Sequence, residues 1–156
     1  MRRSELDKTD RKIITILQGD GRITNVELAQ RINLSPSACL RRLHSLEVSG
    51  VVSGYVALVN QEAIGKPTNI FVEVTLKNQN EELLNAFELA VQDCAEIMEC
   101  YLMSGEADYV IRVIATDTQD YERIHKQYLT RLPGVARLRS SFALRAVCKR
   151  TAIDLS

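Results

Sequence analysis

Two helix starts lie close together in this chain, at Thr24-Asn25-Val26-Glu27 and at Ser35-Pro36, and no other feature restricts its fold so tightly. At the first, the Thr hydroxyl is placed to accept from the third backbone N–H while Glu27 reaches back, the reciprocal arrangement of a capping box. Val26, Leu28, Ala29 and Ile32 supply an apolar stripe, and Asn33 is a left-handed stop. At the second, Ser35 caps and Pro36 takes the first helical position, where its missing N–H costs nothing. Two short helices about three residues apart, with Leu34 in the turn, fit a helix-turn-helix. An earlier periodic segment, Lys8 to Gln18, is capped by Asp7 with Asp10 three residues on, carries Ile13, Ile14 and Leu17 on one face, and ends at Gly19-Asp20-Gly21.

The helix opened by Ser35 runs from Pro36 to about Val48 and stops at Ser49-Gly50. At about 100° per residue, Cys39, Leu40, Leu43 and Leu46 share one face. Ser37, Ala38, Arg41 and Ser45 point the other way, with Arg42 and His44 on the flanks. Small residues, hydroxyls and guanidiniums on one face suit entry into the major groove of duplex DNA. The formal net charge is zero, but residues 1–54 hold nine Lys/Arg against six Asp/Glu and residues 55–156 hold eleven against fourteen. Only the front therefore carries charge that suits a polyanion. Val51–Val59 reads as two short strands around Ser53-Gly54, a wing that continues into a strand-like connector; Asn60 to Pro67 is a hinge.

From Thr68 the period changes to two: Ile70, Val72, Val74 and Leu76 alternate with Phe71, Glu73, Thr75 and Lys77. Asn80 caps a helix bearing Leu83, Leu84, Phe87, Ala90, Val91 and Cys94. Strands follow at 97–103 and 108–115 around the tight loop Ser104-Gly105-Glu106-Ala107. Asp117 caps a second helix with Tyr121, Ile124, Tyr128, Leu129 and Leu132, Pro133-Gly134 breaks it, and 135–150 is one long extended segment. The order β-α-β-β-α-β is the ferredoxin-like arrangement, an antiparallel sheet with both helices on one face. The fold class is therefore α+β: a winged helix-turn-helix over 1–54, a connector and hinge over 55–67, and a βαββαβ domain over 68–156. The helix-free face would be an exposed apolar patch unless a second copy covers it, and the long last segment has the length to cross to that copy.

Several function classes recede. No apolar run approaches the roughly 18 residues of a membrane span. The start Met1-Arg2-Arg3-Ser4-Glu5-Leu6-Asp7-Lys8 goes straight into alternating charges with no apolar stretch behind it, unlike a secretory signal, so a cytoplasmic location is expected. Cys39, Cys94, Cys100 and Cys148 are widely spaced and form no Cys-x-x-Cys pair, so reduced structural thiols are expected and no metal site. Cys39 falls on the buried helix face, which favours packing over redox chemistry.

The blocks Asn25-Val26-Glu27-Leu28-Ala29, Leu34-Ser35-Pro36-Ser37-Ala38-Cys39-Leu40-Arg41-Arg42-Leu43, Leu46-Glu47 and Gly50-Val51-Val52 closely resemble the Lrp/AsnC, or feast/famine, family of bacterial and archaeal regulators. Ser104-Gly105-Glu106-Ala107-Asp108-Tyr109 and Ser140-Ser141-Phe142 extend the resemblance from about Leu6 to Lys149. It implies a transcription regulator that binds double-stranded DNA as a homodimer assembling to tetramer or octamer. It also implies an amino acid or related metabolite bound between dimers near the β–β loop, and no other cofactor.

On that basis the DNA-contacting candidates are Arg22, Ser35, Ser37, Ala38, Arg41, Arg42, His44 and Ser45. Arg41 has the angle to read bases and Arg42, on the flank, to hold phosphate. Ser35 is equally a cap, Arg22 equally a solvated turn charge, and His44 is open between phosphate and solvent. The effector candidates are Tyr101, Met103, Ser104, Gly105, Glu106 and Asp108. Backbone N–H groups around Gly105 suit a carboxylate, Glu106 or Asp108 an ammonium, and Tyr101 and Met103 either shape the pocket or pack the core. Two further possibilities stand beside this one. Some proteins of this two-part fold are tetrapyrrole decarboxylases, which rely on histidines and basic residues around a porphyrin; the rear domain has one histidine, His125, beside the apolar stripe of its helix, and no cluster of acid/base groups. An architectural DNA-wrapping protein without an effector would differ only in the sensing step.

Overall fold

A computed structural model describes residues 6–155. Met1 to Glu5, the first part of the charged start on which the expectation of no secretory signal rests, lie outside the described residues. The chain divides into two compact units. One comprises the described residues up to Leu58 together with those from Val147 onward, and the other is Val59–Ala146.

The first unit is built on α1 (Lys8–Gly19), α2 (Asn25–Ile32) and α3 (Pro36–Val48). Each begins where the sequence places a cap. Asp7 and Asp10 form a capping box on α1, Thr24 and Glu27 another on α2, and Ser35 Oγ accepts the Ala38 N–H on α3. Each such cap is worth about 1 kcal/mol, a large share of what three short helices can muster. Asn33 adopts φ 57°, the left-handed stop that separates α2 from α3. Ile13, Leu28, Ala29, Ile32, Cys39 and Leu46 form the core, with Leu6, Ile14, Ile16, Leu17, Ile23, Leu34, Leu43 and Val52 packed around it.

Two expectations need correction in this unit. Val26 and Leu40, expected on the apolar faces, are exposed, Leu40 to 56%. The buried side of α3 is centred on Cys39 and Leu46, which turns Leu40 outward. Residues 51–59 form no strands; they are turn and extended chain, with no ladder among the described residues. Alternating apolar residues propose a strand, but a ladder also needs a partner edge, and this stretch has none. The C-terminal residues make contacts within this unit. Ile153 N–H donates to Gln18 Oε1 at 2.6 Å, Gln18 Nε2 donates back to Ile153 O at 3.0 Å, and Arg11 Nη1 donates to Leu155 O at 2.6 Å. The tail thus docks on α1, with the Gln18 amide standing in for a neighbouring peptide.

The second unit follows the expected βαββαβ order: β1 (Thr68–Leu76), α4 (Glu81–Gln92), β2 (Ile97–Leu102), β3 (Tyr109–Ala115), α5 (Thr118–Gln127) with a short 3-10 turn (Leu129–Arg131), and β4 (Val135–Phe142). The sheet is antiparallel in the order β2-β3-β1-β4. Ile70, Val72, Val74 and Leu76 of β1 and Tyr109, Ile111, Val113 and Ala115 of β3 face the helices, where Phe87, Val91, Tyr121 and Ile124 meet them. The segment expected to be extended through 150 leaves the sheet at Phe142. Its last inward residue, Phe142, packs edge-on against Tyr121, and Leu144 beyond it is 99% exposed.

The outer face is not the uniform apolar patch that the sequence suggested. Register places Phe71 opposite Arg112 and Ser141, Glu73 opposite Val110 and Arg139, and Thr75 opposite Arg137. Arg112 donates to Glu99 at 2.7 Å and to Asn69 at 2.9 Å, so a polar network crosses the face beside Phe71 and Tyr101.

Gly134 sits at φ +71° where an added Cβ would fall 2.5–2.7 Å from the Leu83 side chain; Gly65 has a similar φ of +75° but open space around it. Gly134→Ala is therefore expected to cost about 2–4 kcal/mol, combining backbone strain with overpacking, and Gly65→Ala about 1 kcal/mol from strain alone. Urea unfolding of the two variants measures the difference, and equal losses would remove the packing contribution.

Candidate functional site

The exposed side of α3 carries Ser37, Leu40, Arg41, His44 and Ser45, while Ala38 is half-buried. His44, expected on the flank, lies in the middle of this side because the buried centre has rotated toward Leu46 and away from Leu40. Ser35 performs its cap, accepting from Ala38 N at 3.3 Å, and its hydroxyl also lies 3.2 Å from Ser37 Oγ. Arg41 and Arg22 present exposed guanidiniums, and the Arg22 backbone N–H is held by Asp20 Oδ1.

Arg42 is placed differently. Its Nη1 donates to Asp7 Oδ2 at 2.7 Å and to Asp10 Oδ1 at 2.9 Å, the two residues of the α1 capping box. The Asp10 backbone N–H, and after it the Arg42 guanidinium, hold the Asp7 carboxyl below the usual carboxylate range. Those bonds raise Arg42 above the ordinary arginine value in return, with Asp7 the larger contributor and Asp10 the next. The guanidinium expected to hold phosphate is thus committed within the chain. Cys39 is fully buried on the same helix and burial pushes its thiol up, which makes it packing material.

In the second unit, the end of the outer sheet face nearest the β2–β3 loop holds a shallow cavity of about 230 Å³. Glu73, Thr75, Met103, Gly105, Glu106, Ala107, Val110, Arg137 and Arg139 line it. Two ion pairs cross it, Arg137–Glu106 at 3.4 Å and Arg139–Glu73 at 3.6 Å, and all four side chains are roughly half exposed or more. Long, solvated pairs of this kind contribute little and exchange readily. Of the expected residues, Met103, Gly105 and Glu106 meet here; Ser104 is exposed beside them and outside the lining. Tyr101 lies further along the same face, donating to Glu99 Oε2 at 3.2 Å. Gly105 is free of positive φ, and a Cβ there would touch nothing within 4 Å. Nothing among the described residues requires glycine at that position.

Asp108 is placed differently. It is 7% exposed, and its carboxylate accepts from the Leu76 backbone N–H at 2.7 Å and from Gln79 Nε2. It ties the loop's far end to the end of β1 and is not among the residues lining the cavity. An acidic residue in a Gly-Glu-x-Asp loop gives no sequence sign of whether it points out or in; burial decides. Glu73, Thr75, Val110, Arg137 and Arg139 went unnoticed because alternation fixes which way a strand residue points but not which residue lies beside it. The β1–β4 register supplies that information.

Comparison with known proteins matches residues 69–153 to the family described as the Lrp/AsnC ligand binding domain, and residues 6–53 to winged helix-turn-helix DNA-binding domains. The leucine-responsive regulatory proteins of Escherichia coli K12 and Salmonella typhimurium are 43% identical over 131 residues, covering 84% of this chain and 80% of theirs. A Neisseria meningitidis transcriptional regulator solved as an L-Met complex superposes with TM-score 0.90 at 37% identity, covering 96% of this chain and 97% of that one. A feast or famine regulatory protein of M. tuberculosis, complexed with L-methionine, superposes at 0.82 with 33% identity, covering 95% and 98%.

Replacing Asp108 by Ala is expected to destabilise the second unit by about 2–4 kcal/mol, since two donors lose a charged acceptor in a buried place. Glu106→Ala should stay within about 0.5 kcal/mol of the parent. Chemical denaturation monitored by circular dichroism gives both values; a neutral Asp108→Ala would return that carboxylate to the list of ligand groups.

Proposed function

The chain belongs to the Lrp/AsnC family of DNA-binding transcription regulators, and on that premise we propose that α3 reads operator DNA while the cavity beside the β2–β3 loop takes an amino acid. The observation that carries the first half is the exposed Ser37–Arg41–His44–Ser45 side of a helix anchored from behind by Cys39 and Leu46. Arg41 reads base edges; Ser35, Ser37 and the N-terminus of α3 suit phosphate, and Arg22 extends the contact to the neighbouring backbone. His44 adds a donor on the same side, and half-buried Ala38 leaves room for close approach.

The cavity supports the second half by its chemistry. A zwitterion needs a cation for its carboxylate and an anion for its ammonium, and Arg137/Arg139 and Glu73/Glu106 supply both within one opening. Met103 and Val110 offer an apolar wall for a side chain. Because the resting ion pairs are long and solvated, a ligand exchanges one set of pairs for another at little cost. Gly105, which the backbone does not require, leaves open the approach above the loop.

A second copy of the chain is the natural cover for the outer face, where Phe71 and Tyr101 lie exposed among ion pairs, and for the unpaired extended stretch at Val56, Leu58 and Val59. Homodimers of this kind set two α3 helices on successive turns of duplex, and tetramers or octamers repeat the pattern. A DNA-directed role supports a cytoplasmic location; separately, among the described residues no helix is long and apolar enough to cross a membrane. The tetrapyrrole alternative lacks support, since His125 is half-buried with its ring 6.0 Å from that of Tyr121, on the helix side of the sheet.

Arg41→Ala is expected to weaken binding to a selected operator by about 10- to 100-fold and to random duplex much less. Titration by fluorescence anisotropy at several salt concentrations separates the two, and equal losses would reject base reading by Arg41. Screening the twenty amino acids by melting temperature should reveal stabilising ligands, with the shift abolished in Arg137→Ala/Arg139→Ala; a shift that survives moves the site elsewhere.

A further inference from the structure

We propose that Arg42 is a positioning residue for DNA recognition: its guanidinium clips the reading helix α3 to the capping box of α1 and touches no phosphate. The inference rests on the reading of α3 as the DNA-contacting helix.

The geometry is economical with its oxygens. Asp7 Oδ1 accepts the Asp10 backbone N–H at 2.8 Å, and Asp10 Oδ2 accepts the Asp7 backbone N–H at 3.3 Å. The two remaining oxygens, Asp7 Oδ2 and Asp10 Oδ1, both receive Arg42 Nη1. All four carboxylate oxygens are thus engaged, and the groups that start α1 also grip α3. One guanidinium between two carboxylates leaves a local charge of minus one. A phosphate approaching Arg42 would meet repulsion as well as the loss of two charge-assisted bonds. Arg41, one residue away, has neither partner.

The clip supplies what packing between α1 and α3 does not. Ile13, Cys39 and Leu46 set the distance between the helices, but apolar contacts are non-directional and leave rotation of α3 about its own axis weakly specified. A rotation of about 20° at a radius of roughly 5–6 Å carries the reading side chains about 2 Å, more than a hydrogen bond to a base edge tolerates. Directed bonds from the flank of α3 resist that rotation. Arginine is suited to the task because its rigid fork holds a fixed direction, which a lysine ammonium does not.

The test compares Arg42→Ala, Arg42→Lys and the double variant Asp7→Asn/Asp10→Asn. Asparagine keeps a good helix cap while removing the two charges. Each is titrated against a duplex that the parent protein selects from a random pool and against a scrambled duplex. Titrations run across a salt series at a temperature well below each variant's own melting point. Positioning predicts that Arg42→Ala weakens selected-duplex binding about tenfold, loses selected-over-scrambled preference, and keeps the parent's salt slope. It also predicts that Asp7→Asn/Asp10→Asn weakens selected-duplex binding similarly, although losing two negative charges strengthens binding to scrambled duplex. Arg42→Lys should fall between the parent and Arg42→Ala.

A phosphate ligand behaves in the opposite way: Arg42→Ala would lower the salt slope by about one, and freeing Arg42 from its carboxylates would tighten selected binding. Either result overturns the proposal, as does a lowered melting point with unchanged preference, which would make the clip a matter of stability alone. If Arg42→Ala does not fold, the aspartate and lysine variants carry the same readout. A parent protein that selects no duplex would instead overturn the DNA-binding reading.

Discussion

The second unit depends on one constraint, the strict alternation of β1. Ile70, Val72, Val74 and Leu76 must face the helices, because leaving any of these side chains in water costs about 1.5–3 kcal/mol, and all are 5% exposed or less. Phe71, Glu73 and Thr75 therefore have no choice but the outer face. As the strand between β3 and β4, β1 also sets what lies beside them: Val110 and Arg112 on one side, Arg137, Arg139 and Ser141 on the other. The cavity is a by-product of burying the core. Three of its four charges, Glu73, Arg137 and Arg139, belong to strand residues held in register, and the fourth, Glu106, comes from the loop.

Similar residues in neighbouring positions have been put to opposite uses. Glu106 and Asp108 lie two apart in one loop, yet Glu106 is 88% exposed while Asp108 is buried and saturated by Leu76 and Gln79. Arg41 and Arg42 are adjacent on one helix, yet Arg41 reaches solvent and Arg42 is locked to Asp7 and Asp10. In each pair one member holds the scaffold and the other is available to a ligand. For the two arginines the distinction follows from helix phase: a step of about 100° moves a side chain from the flank that meets α1 to the side that meets solvent.

Local signals in the sequence were sufficient for the elements. Thr24 with Glu27, Ser35 with Pro36, Asn33, Asn80 and Asp117 each act within a few residues, and each places its helix end where the structure has it. Strand parity was legible for the same reason. What escaped was non-local. Whether residues 51–59 form strands depends on an edge that this chain does not provide. Whether Arg42 is free depends on a carboxylate pair more than thirty residues earlier, and the destination of the last ten residues depends on Gln18 and Arg11 at the opposite end of the chain. Helical phase on α3 was misjudged because Leu40 joins Cys39, Leu43 and Leu46 in the apolar pattern, whereas burial centres on Cys39 and Leu46 and leaves Leu40 outside.

The docking of the tail on α1 changes the topology of the whole molecule. The chain leaves the helical unit after Leu58, builds the sheet unit, and comes back at Val147, so the sheet unit is an insertion within the helical one and two covalent strands join them. A protease cut in the first connector would leave both fragments associated, because the carboxy-terminal piece still carries the segment that grips Gln18 and Arg11. By the same geometry, a fluorophore attached to the exposed thiol of Cys148 travels with the helical unit and reports on its motions, even though it lies after the sheet unit in sequence.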